Sequence, residues 1–225
     1  MYINDINIMY YVLVGILGLV IGQFVDWCNN RLPEYKKVFS KELFTIYLKN
    51  MKPKYILTVC TAIIYIALLY FIGWKENILY KIELIKYMIL VPMLISAFII
   101  DYKLQIIPNR LNLTIFEVGL ITTFIEGIHS PDLAISNLIG GLVGAGIFLA
   151  ITLIGGMIAG KEAMGFGDVK FMGALGLFFG WKNIIAISIT AFFIAAIITI
   201  YLLITKIKSK DEYIPFGPFI VIASF

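Results

Sequence analysis

Charge is what this 225-residue chain has least of: Asp, Glu, Lys and Arg make up 14% of it. A soluble domain carries about 25%. The shortfall excludes a water-soluble globule, and a hydrophobic content of 61% shows what fills the gap. Cysteine is scarce as well. Cys28 and Cys60 are the 2 present and form no CxxC pair, which excludes a zinc ribbon and a disulfide framework. Histidine occurs once, as His129 beside Ser130. A nucleophilic triad needs its histidine held between a nucleophile and an acid, and nothing organises one there. Internal repeats and low-complexity tracts are lacking too.

What is present is a series of long apolar runs. A helix crossing the hydrocarbon core needs about 20 mostly apolar residues. Candidate spans are 8–25, 55–73, 84–100, 111–125, 133–159, 169–181 and 184–205, the sixth of them short. An eighth begins at Ile214 and is too short to cross as it stands, so it is truncated, half-inserted or continued further. The first run lacks the basic front and small-residue cut site of a cleavable signal. The expected fold is all-α: a polytopic transmembrane bundle of seven to eight spans, with a short basic loop or interfacial helix after the first. Residues 1–54 read as the first helix plus that loop, and residues 55–225 as the main bundle.

Basic residues set the orientation of such a bundle. With the N-terminus outside, the first loop is cytoplasmic and holds Arg31, Lys36, Lys37, Lys41, Lys49, Lys52 and Lys54. Of the 18 basic residues only Lys75, Lys81, Lys86 and Lys182 then lie outside. The net charge of +4 is therefore topological, and nucleic acid is not an expected partner. The loop segment 40–50 has a helical pattern. Ser40 is placed to cap it, with Leu43, Phe44, Tyr47 and Leu48 toward the membrane surface. Glycines four apart (Gly18 and Gly22, Gly140 and Gly144, Gly156 and Gly160, Gly176 and Gly180) are expected to let helices pack closely.

Two acids interrupt the apolar runs. Asp101 ends the stretch from Leu94 to Ile100, and Asp168 closes Gly165-Phe166-Gly167-Asp168. An acid at the centre of a membrane helix costs about 2.5–3.5 kcal/mol on insertion scales, so intramembrane acids mark functional sites. The orientation above puts both at the cytoplasmic edge. Gly165 and Gly167 permit unusual backbone angles and close approach of another chain. Pro108 disfavours helix at Ile107 and opens a turn before the fourth span, where Asn109 and Arg110 are placed to orient the loop. Lys170 is positioned to hold a carboxylate ionised, to contact substrate or to anchor the helix. Glu117, on a face with Thr114 and Ile121, lines a site, pairs with a lysine or serves structure. Two neighbouring carboxyl groups do not both ionise easily. The ionised one can draw a proton from water while the protonated one donates to a carbonyl, which is hydrolysis without a metal.

These residues resemble the type IV prepilin peptidases, membrane aspartyl proteases of the GxGD class. Asp101 with Pro108 is similar to the family's first catalytic segment, and Gly165-Phe166-Gly167-Asp168-Val169-Lys170 to its second. The stretch from Gly22 to Pro33 resembles the end of the family's first helix. Pro215-Phe216-Gly217-Pro218-Phe219 resembles its C-terminal Pro-Phe-Gly-Pro. The resemblance implies that Asp101 and Asp168 are the catalytic pair. It further implies a prepilin or pseudopilin precursor as partner, an inner-membrane location, and cleavage after a glycine at the cytoplasmic face, on the cytoplasmic side of the substrate's hydrophobic helix. No cofactor is implied for proteolysis. Many relatives also methylate the new N-terminus with S-adenosylmethionine. Here the acidic residue usual near Lys54-Tyr55-Ile56-Leu57-Thr58 is absent, as are the two CxxC pairs of the first loop, so methylation stays open. Acidic Glu162, Asp211 and Glu212 are positioned to attract a basic leader. The competing expectation is a proton-coupled transporter or channel. Such proteins bind near the midplane between repeated halves, and no repeat is visible here.

Overall fold

The structure is a computed structural model and describes residues 2–4, 6–47, 54–160, 164–206 and 214–225. It is an all-α membrane bundle with one small two-stranded ribbon at its start. Its contacts divide into two compact units, Met1–Ser96 and Ala97–Phe225.

In the first unit the ribbon β1 (Tyr2–Ile3) and β2 (Ile6–Asn7) leads into α1 (Ile8–Arg31). Asn7 caps α1 by accepting the Met9 N–H at 3.0 Å. Helix α2 (Tyr55–Ile72) lies on α1. The expected close packing occurs: a Cβ on Gly18 would sit 2.6 Å from Ala62 Cα, and one on Gly22 2.7 Å from Thr58 Cα. Helix α3 (Ile78–Leu104) begins in this unit, where Tyr65 Oη donates to the Met88 carbonyl.

The loop after α1 is helical over 41–47, as expected, but its details differ. Residues Leu43–Tyr47 form a π-helical turn, and Ser40 Oγ is buried without a partner among the described residues, so it caps nothing. Tyr47 docks on α1. Its hydroxyl donates to the Gln23 carbonyl at 2.8 Å and accepts from Gln23 Nε2 at 2.7 Å. Burial raises the Tyr47 hydroxyl to about 12, so it remains a donor at neutral pH. The polar group prefers these partners because a hydroxyl near hydrocarbon is costly unless bonded. Leu48 lies outside the described residues, as do Glu162, Asp211 and Glu212.

The second unit holds the end of α3, then α4 (Asn109–His129), α5 (Pro131–Ala159), α6 (Phe166–Ile204) and α7 (Gly217–Ala223). Among the described residues six helices are long and apolar enough to cross a membrane. The sixth and seventh candidates of the expected seven to eight are the two arms of one broken element, α6. Gly180, inside α6, has φ 72° and ψ 171°, a region that L side chains rarely enter. The chain turns back there. Gly144 of α5 meets both Met172, before the break, and Ile184, after it. Phe148 packs on Phe192 with ring centroids 5.4 Å apart. The first half of α6 therefore runs antiparallel to α5, and the second half runs back alongside it.

Backbones touch at this hairpin. A Cβ on Gly176 would lie 2.1 Å from the Gly140 carbonyl oxygen. Gly160, grouped by its spacing with the packing glycines, has another role. It ends α5 in the left-handed conformation, φ 65° and ψ 10°, and nothing among the described residues lies within 4 Å of its absent Cβ. The chain from Ile214 forms only a seven-residue helix, α7, whose Gly217, Pro218, Phe219, Ile220 and Val221 are buried in this unit.

Candidate active site

Asp101 sits one turn before the end of α3 and is 3% exposed. The helix stops because Gln105 bonds back to the Asp101 carbonyl at 2.8 Å and takes φ 56°. Pro108, at φ −59° and ψ 134°, then starts α4, and its carbonyl accepts the N–H groups of Leu111 and Asn112. Proline suits this place because a helix start leaves N–H groups unpaired in any case.

Asp168 is the third residue of α6 and is 4% exposed. Its backbone N–H bonds to the Gly165 carbonyl at 3.1 Å. The positive end of the helix dipole thus faces its side chain. The two carboxyl groups, separated by 67 positions in sequence, come within electrostatic reach of each other. Met172 abuts Gly144, so Asp168, one turn earlier, is level with Phe148. Helix α5 continues to Ala159, which leaves Asp168 about 16 Å along the helix axis from its end.

The Asp101 carboxylate has one bond that sequence reasoning missed. Its Oδ2 accepts the Gly217 N–H at 2.9 Å. A Cβ at Gly217 would fall 2.6 Å from that oxygen, so only glycine permits the approach. Aromatic packing holds α7 there: Phe216 lies 4.8 Å from Phe192, 5.8 Å from Phe148 and 5.9 Å from Phe219, centroid to centroid. Asn112 was missed as well. Its Nδ2 donates to the Gly167 carbonyl at 3.0 Å and ties α4 to the Asp168 turn. An amide between Leu111 and Leu113, at the start of an apolar run, was the available signal.

Several expected roles change. Neither flanking glycine uses a glycine-only conformation: Gly165 has φ −70° and ψ 140°, and Gly167 is not among the positive-φ residues. A Cβ on Gly167 would make ordinary 3.7 Å contacts with Ile107. Lys170 does not pair with Asp168. Its Nζ donates to Asn109 Oδ1 at 2.9 Å, a second tie between α6 and α4. Glu117 is exposed on α4, opposite the buried stripe of Leu111, Ile115 and Thr122, and forms no lysine pair among the described residues. His129 ends α4, exposed and away from any acid–nucleophile arrangement. No group of three or more metal-binding side chains occurs among the described residues.

Both aspartates fall within residues 88–200, which match the family model described as the type IV leader peptidase family. The chain belongs to that family. Among similar leader peptidases, the prepilin leader peptidase/N-methyltransferase of Legionella pneumophila is 31% identical over 144 residues, 64% of this chain and 49% of that protein. Its counterpart from Aeromonas salmonicida (strain A449) is 30% identical over 133 residues, 59% of this chain and 44% of that protein. Leader peptidase HopD of Escherichia coli is 31% identical over 132 residues, 58% of this chain and 83% of that protein. The chain thus spans less than half the length of the two prepilin leader peptidase/N-methyltransferases. No solved structure matches it significantly. The family match covers most of the second unit, including the aspartates, the Gly180 hairpin and Asn112.

Proposed function

We propose that the chain is an aspartyl endopeptidase of the inner membrane that removes the basic leader of type IV prepilin-like precursors at the cytoplasmic face. The observation that carries this reading is that two buried carboxyl groups come within electrostatic reach of each other inside the region shared with leader peptidases. A buried pair with no lysine or arginine partner among the described residues has one economical state, in which a single proton is shared. The ionised carboxylate takes a proton from water as that water attacks the scissile carbonyl. The protonated one donates to the carbonyl oxygen, and the proton then passes to the leaving amine. Gly217 N–H fixes one Asp101 oxygen, which leaves the other to face Asp168 or water. Gly165 and Gly167 leave the substrate backbone room beside Asp168. The cytoplasmic placement rests on the asymmetry of lysine and arginine.

No cofactor enters this hydrolysis. Methylation of the new N-terminus with S-adenosylmethionine is a separate activity, carried in the names of the relatives. The test is co-expression with a prepilin-like precursor and mass spectrometry of its N-terminus. The wild-type chain yields the shortened product, with the added mass of a methyl group if it also methylates. Asp101→Asn and Asp168→Asn insert normally and leave the precursor whole. Normal processing by both variants refutes the mechanism.

A further inference from the structure

A groove opens in the second unit between α4, α5 and the first half of α6. It encloses about 730 Å³, a volume typical of ligand sites. Leu113, Phe116 and Leu120 of α4 and Leu142 of α5 form apolar walls, and Gly141 and Gly173 form a floor without side chains. Lys170 and Asn109, bonded to each other, close one end. Val169 also lines that end, so the groove starts beside Asp168. The α4 stretch from Asn109 to Leu120 is about 16 Å long, half the hydrocarbon thickness.

An apolar groove in a membrane protein can simply hold lipid. Asn112 argues for something else. It lines the groove and is 4% exposed. Its Nδ2 is satisfied by the Gly167 carbonyl, but its Oδ1 is buried with no partner among the described residues. Such an acceptor is rare in a folded protein and signals a missing donor. A lipid acyl chain carries no N–H. A peptide helix carries four unpaired N–H groups, all in its first turn. An apolar helix entering the groove beside Asp168, with its N-terminus toward the aspartates, would present those donors at the depth of Asn112.

We propose that this groove receives the apolar helix that follows the cut in the substrate, and that Asn112 Oδ1 accepts a backbone N–H from its first turn. The assignment rests on the peptidase reading above and adds where the product end of the substrate lies. The groove's small-residue floor suits it, since glycines let a helix approach closely.

A photoreactive benzophenone residue in place of Leu142 tests this. That side chain is 76% exposed, so replacing it disturbs no packing. In an Asp168→Asn background, in membranes holding the intact precursor, irradiation is expected to join residue 142 to the precursor within about two turns downstream of the cut. Adducts only with lipid, or only upstream of the cut, overturn the proposal. In the chain with both aspartates, Leu142→Trp is expected to raise KM about tenfold with kcat little changed, since tenfold corresponds to one good interaction, and Asn112→Leu to raise KM by about as much while also lowering kcat, because it loses the tie to the Gly167 carbonyl as well. Unchanged KM in both also overturns it. Precursor cleavage by the unaltered chain separates the two claims. Cleavage that needs the aspartates, without groove crosslinks, removes only the groove; cleavage indifferent to the aspartates removes the peptidase mechanism.

Discussion

Replacing Gly217 by alanine should impair the site while leaving both catalytic aspartates in the sequence. The added Cβ would lie 2.6 Å from Asp101 Oδ2 and 3.0 Å from its Cγ. The first distance is too short for any real contact, so either the carboxylate or α7 must move by about 0.5 Å or more, the tolerance within which a catalytic group must be held. Movement of α7 is resisted by the ring cluster of Phe216, Phe192, Phe148 and Phe219, and Phe148 is fully buried. The carboxylate therefore yields and loses its 2.9 Å bond. A hydrogen bond to a charged group is worth about 1.5–3 kcal/mol, and a misplacement of about 1 Å can cost 100-fold in rate. The expected fall in kcat is about 10- to 100-fold, equivalent to about 1.4–2.7 kcal/mol. The assay is the initial rate of precursor cleavage by purified protein in lipid vesicles. A thermal midpoint within a few degrees of wild type would show that the bundle survives. A rate within about twofold of wild type, at saturating precursor, would refute the claim that Gly217 positions Asp101.

Gly176→Ala should act on folding instead, because its Cβ would fall 2.1 Å from the Gly140 carbonyl oxygen, backbone against backbone. Overpacking of this kind costs about 1–3 kcal/mol or more, to be read as a lowered thermal midpoint in detergent; an unchanged midpoint would contradict the close approach. At the opposite end of α4, Asn137 Nδ2 donates to Glu126 Oε2 at 2.7 Å, and both residues are buried. Asn137→Ala should lower stability by about 1–3 kcal/mol, since it withdraws a donor from a buried carboxyl group. Turnover per folded molecule should be retained, because Asp168 lies about 18 Å along α6 from the Gly180 turn that Asn137 touches; a lost kcat at full stability would show coupling between the two ends.

The span positions were legible because membrane insertion is a local property. Apolar length and helix rise decide it; α2 and α5 start and end close to where hydropathy places them, while α1 starts there and runs six residues further, to Arg31. The acids were legible for the same reason, since a charge inside an apolar run is conspicuous without any partner. What failed were inferences from spacing to role. Gly156 and Gly160 share the spacing of Gly140 and Gly144, yet Gly160 ends a helix and Gly140 touches its neighbour's backbone. Lys170 is two positions from Asp168, but on a helix such positions face apart, and its ammonium reaches Asn109 instead.

From its sequence alone this protein is a multi-pass helical membrane protein with two conspicuous acids, because hydrophobic length and charge act residue by residue. The tertiary structure alone decided which groups complete the site. Gly217 lies 116 positions from Asp101 and Asn112 lies 55 from Gly167. Contacts at such separation depend on how α6 turns back at Gly180 and how the rings around Phe216 hold α7. Those are packing outcomes, set by the fit of many side chains at once, and no local pattern encodes them.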